Sequence, residues 1–476
     1  MLVAIIDIGS NSVRLVFYDY ARAYPQAIFN EKITCNLGHG LEAGNKLDEK
    51  AKQNVRQATM RFAALIEAKK PELVEVLATA AIREASDGED FADELSAIIN
   101  CNIQILSGEE ESLYAAYGVL ATSWQPCGIV VDMGGGSTDI SYINQANCVT
   151  PITSIPHGAF YFGQYLQKHG SKKLSEYLHK LLAPLKQFPC DAIYPVGGSF
   201  RAVATHHMAR VEYPLHIIHD YCLNTNQIRE LRNNVEADFV ANNPLIDVPK
   251  RRQNAIAPAI LCLQKIGEMT GANECVFSSA GIREGALAVA MNLHLSPPDP
   301  LIAMMRSIHS ILIDDAYVHH LCSLIMDIIP IKPDESRILL AFCYISEIAA
   351  NMHPDYRGEY AFERIIAIQG FGLTHQQQVM LALAAYYRYR SKLRLKHPAL
   401  ALLNDQMRNF AYIIGKIANI AYSLSGGSSV MLELFTINFD EKTKSLSIKS
   451  KTKSSMPQEM PEIHAQLNEL IAQFNK

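Results

Sequence analysis

The chain lacks several features that would place it in a specialised class of protein. It has no C-x-x-C pair among its ten cysteines, and its net charge of -5 leaves no overall positive field. It also has no run of about 18 apolar residues, so a membrane-spanning helix is not expected. The charge argues against a general nucleic-acid binder or a partner of duplex nucleic acid. The scattered cysteines are expected to be free thiols in a reducing, cytoplasmic compartment.

Length and composition predict a soluble globular protein with more than one core. The chain has 476 residues, of which 49% are hydrophobic and 19% charged, and about two to four domains are expected at this length. The apolar start Met1–Ile6 has no basic residues before it and runs into Asp7, so it is expected to be a core strand rather than a signal peptide.

Strands alternate with helices until about residue 297, which predicts an α/β architecture. The proline-rich segment 293–300 (LHLSPPDP) marks a boundary, and mostly helical periodicity follows. A hairpin is predicted from strands 430–437 and 444–449, with a turn around Asp440–Lys442. We therefore expect four parts: α/β lobe I over 1–124, α/β lobe II over 125–297, a helical domain over 298–422, and a C-terminal hairpin and helix over 423–476.

An internal repeat links the two α/β lobes. Residues 5–17 read IIDIGSNSVRLVF and residues 130–142 read VVDMGGGSTDISY. Each segment is a strand, an aspartate, a glycine turn with hydroxyl side chains, and a returning strand. Such a duplication predicts two similar lobes that face each other across a cleft.

Both loops of the repeat have the composition of a phosphate site. A strand that ends in aspartate places a carboxylate at the sheet edge for a metal ion, and the glycines let backbone N–H groups approach an anion. A plain hairpin turn is the alternative for the first loop. The candidate residues are Asp7, Gly9, Ser10, Asn11 and Ser12 in the first loop, and Asp132, Gly134, Gly135, Gly136, Ser137, Thr138 and Asp139 in the second.

Further candidates depend on their position at strand or helix ends. Glu111 lies in the first turn of a helix that a Ser107–Glu110 capping box opens; it could accept a proton from water, or it could simply be solvated. Arg83 follows a strand and could clamp a phosphate or pair with nearby acids. Glycine turns precede helices at two more places, where either anion binding or tight packing would require them: Gly197, Gly198 and Ser199, and Gly281 with Arg283.

Five stretches give the chain a family resemblance. They are AIIDIGSNSVRLV at 4–16, TAAIREA at 79–85, ILSGEEES at 105–112, VVDMGGGSTDIS at 130–141 and GIREGAL at 281–287. Together they resemble the exopolyphosphatase / guanosine pentaphosphate phosphatase family, in its long form. The resemblance implies a duplicated ribonuclease H-like fold of the actin, Hsp70 and sugar kinase type, and it covers about the first 300 residues.

The resemblance also implies roles for individual residues. Glu111 would be the general base, Asp132 would help to hold Mg²⁺ with Asp7 and Glu111 near it, and Arg83 and the loops would bind substrate phosphates. The expected substrate is polyphosphate, with guanosine pentaphosphate as the alternative. A kinase of the same superfold and a non-catalytic alarmone-binding module are weaker alternatives. The resemblance and the apolar helical half favour a homodimer.

Two places depart from the family pattern or extend it. The second loop ends in Asp139 where the family usually has glutamate. The helical domain resembles the HD phosphohydrolase fold but carries Ser346–Glu347 where a metal-binding His-Asp pair would be expected, which predicts a scaffold without metal.

The basic run Arg388, Arg390, Lys392, Arg394 and Lys396 suits a polyanion channel, with a solvated basic stretch as the alternative.

Overall fold

The structure is a computed structural model that describes residues 1–20, 24–38, 45–240, 243–295, 298–308, 312–368, 372–440, 443, 445–451 and 461–474. The chain separates into two compact units, Met1–Pro300 and Leu301–Lys476. The predicted boundary after residue 297 lies close to this division, although 296 and 297 are outside the described residues. The boundaries at 124/125 and 422/423 stay predictions, and a helix over Asp405–Ser425 crosses the second of them.

The first part of unit 1 is a five-stranded sheet with helices. Its central strand is apolar and mostly buried, as a strand covered on both faces requires. The sheet order is β3-β2-β1-β4-β5, with β1, β2 and β3 antiparallel and β4 parallel to β1. The elements are β1 (Leu2–Ile8), β2 (Ser12–Asp19), β3 (Gln26–Thr34), α1 (Glu49–Lys69), β4 (Leu73–Ala78), α2 (Ala80–Glu84), α3 (Gly88–Ile99), β5 (Ile103–Ile105) and α4 (Gly108–Thr122).

The second part of unit 1 repeats this arrangement in a six-stranded sheet. Its order is β10-β11-β9-β6-β7-β8, with β6, β7 and β8 antiparallel and β9 parallel to β6. The predicted duplication is therefore present in the strand order. The elements are β6 (Gly128–Met133), β7 (Thr138–Ile143), β8 (Val149–Ile155), α5 (Ala159–Leu181), β9 (Ala192–Val196), α6 (Gly198–Arg210), β10 (Tyr221–Asn224), α7 (Thr225–Val240), α8 (Gln253–Thr270), β11 (Glu274–Phe277) and α9 (Ile282–Ala290).

The register of the two hairpins fixes which side chains reach the same edge. Asp7 lies opposite Arg14 across β1 and β2, and Asp132 lies opposite Asp139 across β6 and β7. Directly opposed residues of an antiparallel pair point to the same face. The first hairpin therefore places a carboxylate beside a guanidinium group, and the second places two carboxylates side by side.

Unit 2 is helical apart from one small sheet. Its elements are α10 (Pro300–Ile308), α11 (Asp315–Ile328), α12 (Pro333–Ile345), α13 (Arg357–Ile366), α14 (His375–Tyr389), α15 (Asp405–Ser425), α16 (Ser429–Leu432), β12 (Phe435–Asp440), β13 (Ser445–Ser450) and α17 (Pro461–Phe474). Short 3₁₀ turns of unit 2 cover Pro354–Tyr356 and Pro398–Leu402, and those of unit 1 cover Ala183–Gln187, Lys250–Arg252 and Leu293–Leu295. Within the described ranges, no helix combines the length and hydropathy that crossing a bilayer would need.

The predicted hairpin forms, but its first strand begins later than the predicted residue 430. Ser428 caps the N-terminus of α16 through its side chain, so Val430–Leu432 are helical rather than extended. The strand begins at Phe435. The helix predicted over 335–351 likewise ends at Ile345. Residues 309–311, 441–442 and 458–460 of other predicted elements lie outside the described residues.

Candidate active site

A cleft in unit 1, about 200 Å³ in volume, is lined by both loops of the repeat. Most of the predicted site residues line it, although they come from distant parts of the chain. The predicted residues in its walls are Asp7, Gly9, Ser10, Asn11, Ser12, Glu111, Asp132, Gly134, Gly135, Gly136, Ser137, Asp139, Gly197, Gly198, Ser199 and Arg283. Arg83 and Thr138 are not part of the lining.

The first loop is a tight turn whose hydrogen bonds hold Asp7 at the edge of the cleft. The N–H of Gly9 donates to the carbonyl of Ser12 at 3.1 Å, and the N–H of Gly38 donates to the carbonyl of Ser10 at 2.7 Å. Nη1 of Arg283 donates to Oδ2 of Asp7 at 3.1 Å. Asp7 is therefore already neutralised by a cation from α9.

The second loop brings glycine backbone against neighbouring chain. The N–H of Gly134 donates to the carbonyl of Ser137 at 3.0 Å, which closes the turn. A Cβ atom on Gly158 would lie 2.5 Å from the carbonyl of Gly135, so glycine is needed where α5 begins. The hydroxyl of Thr138 donates to the carbonyl of His157 at 2.9 Å and is buried, so this side chain points away from the cleft.

Glu111 reaches the cleft from the first turn of α4. Ser107 and Glu110 form the predicted capping box, which fixes that turn. The Glu111 side chain is buried, and Arg83 donates hydrogen bonds to it and, at 2.7 Å, to the carbonyl of Leu106. Burial and the Asp139 carboxylate raise the pKa of Glu111 well above its ordinary value, while Arg83 opposes that rise.

Asp132 differs from Asp7 and Glu111, which are each paired with an arginine. Within the part of the chain that the structure describes, its side chain makes no hydrogen bond or ion pair, and it is only 9% exposed. Burial, followed by the charge of Asp139, raises the pKa of Asp132 to about 7, and Arg201 opposes the rise. Gly197 adopts φ +103°, and a Cβ atom there would lie 2.7 Å from Oδ1 of Asp132.

The oxygen donors of the cleft fit Mg²⁺ only if the substrate supplies further ligands. The described residues contain no group of three or more His, Cys, Asp or Glu side chains arranged around an ion. Asp7 is paired with Arg283 and Glu111 with Arg83, which leaves Asp132 as the open carboxylate of the predicted metal ligands. Mg²⁺ commonly takes one or two protein carboxylates and completes its shell with water and substrate phosphates.

Sequence reasoning missed a set of basic residues in the same walls. Arg201 follows the Gly197–Ser199 turn, and burial together with the charges of Arg283 and Arg252 lowers its pKa to about 10. Nε of Arg14 is buried and has no hydrogen-bond partner among the described residues. The internal repeat offers one signal that Arg14 reaches the cleft, because it aligns Arg14 with the predicted site residue Asp139. The missed basic residues are Arg14, Lys32, Arg201 and Arg252.

In unit 2 the basic run predicted as a polyanion channel begins with residues that are already paired. Nε and Nη2 of Arg388 donate to the two oxygens of Glu347 at 2.7 and 2.9 Å, and both side chains are buried. Arg390 pairs with Glu359 at 2.8 Å. The channel prediction is therefore wrong for Arg388, which is buried against Glu347 in the turn after α12. For Arg390, which is partly exposed and paired with Glu359 of α13, it stays a prediction.

Comparison with known proteins agrees with this architecture. The model of the Ppx/GppA phosphatase family matches residues 15–294, and that of the exopolyphosphatase C-terminal domain matches residues 324–466. A crystal structure of the Aquifex aeolicus member of the Ppx/GppA family is 27% identical, with a TM-score of 0.54 over 61% of this chain and 98% of that one.

A second solved structure supports the fold alone. An exopolyphosphatase from Cytophaga hutchinsonii is 19% identical, with a TM-score of 0.55 over 61% of this chain and 98% of its own. The predicted architecture is confirmed: an actin-like α/β half is followed by a helical part and a small two-stranded sheet. The chain belongs to the Ppx/GppA phosphatase family.

Proposed function

We propose that the protein releases terminal orthophosphate from inorganic polyphosphate by water attack on the last phosphoanhydride bond. Membership of a phosphatase family makes phosphate-ester or phosphoanhydride hydrolysis the expected chemistry. The observation that carries the finer proposal is the position of Glu111. Its buried carboxylate lies in the wall of a cleft whose other walls are the two glycine loops.

The charges of the cleft support a fixed direction for a polyanion. The cleft is lined by the carboxylates Glu111, Asp132 and Asp139 and by the guanidinium groups of Arg14 and Arg201. A chain of phosphates avoids the carboxylates and contacts the arginines. Only its terminal phosphoryl group, with a bound cation, can then lie beside Glu111.

The side chains and backbone divide the work of hydrolysis. The N–H of Gly134 already donates to the carbonyl of Ser137, so the backbone N–H groups of Gly135 and Gly136 are the ones that can hold the oxygens of the terminal phosphoryl group. Glu111 orients a water molecule for in-line attack and takes its proton. Asp132 would hold Mg²⁺ together with the substrate, and the ion would supply positive charge to neutralise the transferred group. Positioning and charge stabilisation account for most of the rate of such reactions.

Arg83 has a role through Glu111 in this scheme. Its guanidinium contacts Glu111 and the carbonyl of Leu106 and does not line the cleft. We therefore assign Arg83 to holding the base in its ionised form and in place. The family resemblance would instead have it contact substrate phosphates directly.

Guanosine pentaphosphate is the second candidate substrate, and one side chain favours it. Phe160 lines the cleft, the residue is 45% exposed, and its ring has no aromatic partner among the described residues. Its Cε2 atom would lie 2.7 Å from a Cβ atom placed on Gly135. An open ring beside the phosphate loop offers a nucleobase a surface for stacking, which an inorganic chain could not use.

Phosphate release from long polyphosphate, tripolyphosphate and guanosine pentaphosphate, measured side by side with and without Mg²⁺, tests the proposal. We expect Mg²⁺-dependent release from polyphosphate at the highest kcat/KM. Transfer of phosphate to an acceptor hydroxyl without free phosphate would identify a kinase. Tight binding without turnover of any of the three would identify a sensor, and either result would contradict the proposal.

A further inference from the structure

The wall of the cleft at the second loop continues into α5. The N–H of Ala159 donates to the carbonyl of Gly134 at 3.0 Å, and the hydroxyl of Thr138 donates to the carbonyl of His157 at 2.9 Å. These bonds fix the first turn of α5 against the loop, where Phe160 lines the cleft. A ligand that extends out of the cleft past Phe160 then contacts the outer surface of α5.

Most of the aromatic rings of α5 are used to pack the helix on itself. The backbone of Gly170 leaves the helical region with φ +82°. Tyr165 and Tyr177 would be about 18 Å apart in a straight helix, but their rings are stacked with centroids 5.1 Å apart, so the chain folds back at the glycine. Tyr161 packs on Tyr177 at 6.4 Å. Phe160 takes no part in this packing within the described residues and is 45% exposed.

The outer surface of α5 is basic, although the whole chain is acidic. The helix has four lysines and one glutamate, whereas the net charge of the chain is -5. All four lysines are exposed, and none forms an ion pair or hydrogen bond with another residue that the structure describes. Unpaired lysines gathered on one helix attract a polyanion. The four are Lys168, Lys172, Lys173 and Lys180.

Phe160 and Lys168 follow one another along α5 in the order that a single nucleic-acid strand requires. They are eight residues apart, which places Lys168 about 12 Å further along the helix, with the exposed Gln164 between them. A ring that accepts a base, followed by cations that accept phosphates, is the arrangement of sites for single strands. The ring argues against an inorganic chain as the ligand, since phosphate has no group that stacks on it.

We propose that the protein also removes the terminal phosphate from the 5′-triphosphate end of single-stranded RNA, with the first base on Phe160 and the following phosphates on the lysines of α5. The inference rests on the proposed function, because the same cleft would break the same kind of bond. Water adds to the terminal phosphorus, its proton goes to Glu111, and the bond to the bridging oxygen breaks. The products are orthophosphate and RNA with a 5′-diphosphate, so no further reactant is needed.

The length of the RNA tests whether α5 contributes to binding. Phosphate release with Mg²⁺ is measured from 5′-triphosphorylated RNA of one to about twelve nucleotides, with tripolyphosphate as the reference. We expect one orthophosphate per RNA and a KM that falls about tenfold as the strand lengthens. A KM that does not fall with length would overturn the proposal. No release from RNA by a protein that hydrolyses polyphosphate would also overturn it and leave the proposed function standing.

Replacing Phe160 tests the contact with the base. In Phe160→Ala the KM for the long RNA should rise about tenfold, while the KM for tripolyphosphate stays at the parental value. Phe160→Tyr keeps the ring and should restore the RNA value. Trp124→Ala is the matched control, because Trp124 is also 45% exposed but does not line the cleft. An equal rise for RNA and tripolyphosphate in Phe160→Ala would overturn the stacking role.

Charge reversal on α5 tests the path of the strand. The double variant Lys168→Glu with Lys172→Glu should raise the KM for the long RNA and leave that for a nucleoside triphosphate unchanged. Lys50→Glu is the control, since Lys50 is exposed on α1 and makes no ion pair with a described residue. Equal effects from both would indicate a general effect of charge. A raised KM for long polyphosphate but not for RNA would assign α5 to the inorganic chain and overturn the proposal.

Binding without turnover separates this inference from the proposed function. Fluorescence anisotropy of the Glu111→Gln variant compares one RNA sequence with a 5′-triphosphate and with a 5′-hydroxyl end. We expect the triphosphate form to bind at least severalfold more tightly, and equal affinity would contradict recognition of the 5′ end. If the parent releases phosphate from neither polyphosphate nor RNA while this preference is kept, the proposed function and the RNA reaction both fail, and α5 stands as an RNA-binding surface only.

Discussion

Arg83 and Glu111 form an ion pair in which the guanidinium also donates to the carbonyl of Leu106 at 2.7 Å. Arg83 thereby opposes the rise in the pKa of Glu111 that burial and Asp139 cause. The pair connects the end of one helix with the first turn of another. It gives the candidate base a fixed position and a charge partner before any substrate arrives.

Arg83→Gln should move the pH profile because it removes the cation that lowers the pKa of Glu111. A base must be ionised, so the acidic limb of kcat/KM should shift to higher pH, and activity should be lost first on the acidic side. Arg83→Lys keeps a positive charge and should keep most of the limb. A limb that does not move, together with a raised KM, would place Arg83 on the substrate instead.

The two hairpins could be predicted because their signals are local. Each is a short apolar run, an aspartate and a glycine turn, and the repeat confirms one with the other. Asp132 and Asp139 could be assigned to the cleft on this basis alone. By contrast, β3 and β8 are partly exposed strands without a continuous apolar run, and α5 contains Gly170 at φ +82°, so their patterns are weak.

The remaining site features depend on contacts between distant segments. Arg201 and Arg252 reach the cleft from α6 and the turn before α8, and nothing in either local sequence marks them. The sequence predicts Arg388 in a polyanion channel or a solvated run, but the side chain is buried against Glu347, which lies in the turn after α12. Pairing of this kind becomes visible only when the helices are packed.

Arg201→Ala should weaken substrate binding more than turnover. Hydrogen bonds to charged groups contribute about 1.5–3 kcal/mol, so KM for polyphosphate should rise by roughly tenfold to a hundredfold. Arg210→Ala is the matched control on the same helix, because Arg210 pairs with Asp238 at 3.0 Å and does not line the cleft. Equal effects from both variants would indicate a general effect of charge rather than a contact in the cleft.

Mg²⁺ affinity should depend on pH through Asp132. Without a cation the pKa of Asp132 is raised to about 7, so below that pH a proton occupies the carboxylate and the cation must displace it. Release of one proton per ion lowers the apparent affinity about tenfold for each pH unit below 7 and has little effect above it. Calorimetry from pH 5.5 to about 8.5 measures this; affinity that is flat across the range would contradict it.

The buried pair Glu347–Arg388 should govern the stability of unit 2. Glu347→Ala leaves the guanidinium buried without its partner, which typically costs about 3–5 kcal/mol of unfolding free energy. The double variant Glu347→Ala with Arg388→Met removes the uncompensated charge and should recover a large part of the loss. Denaturant unfolding of the three proteins measures both effects, and a single variant as stable as the parent would refute the assignment.

The role of Glu111 is the central claim, and Glu111→Gln tests it most directly. The amide keeps the size of the side chain but cannot accept a proton from water. Single-turnover release of terminal phosphate from polyphosphate should fall by about a thousandfold or more, while substrate binding is kept. Glu109→Gln, an exposed neighbour on the same turn, should release phosphate at the parental rate. Release by Glu111→Gln within a fewfold of the parent would contradict the account.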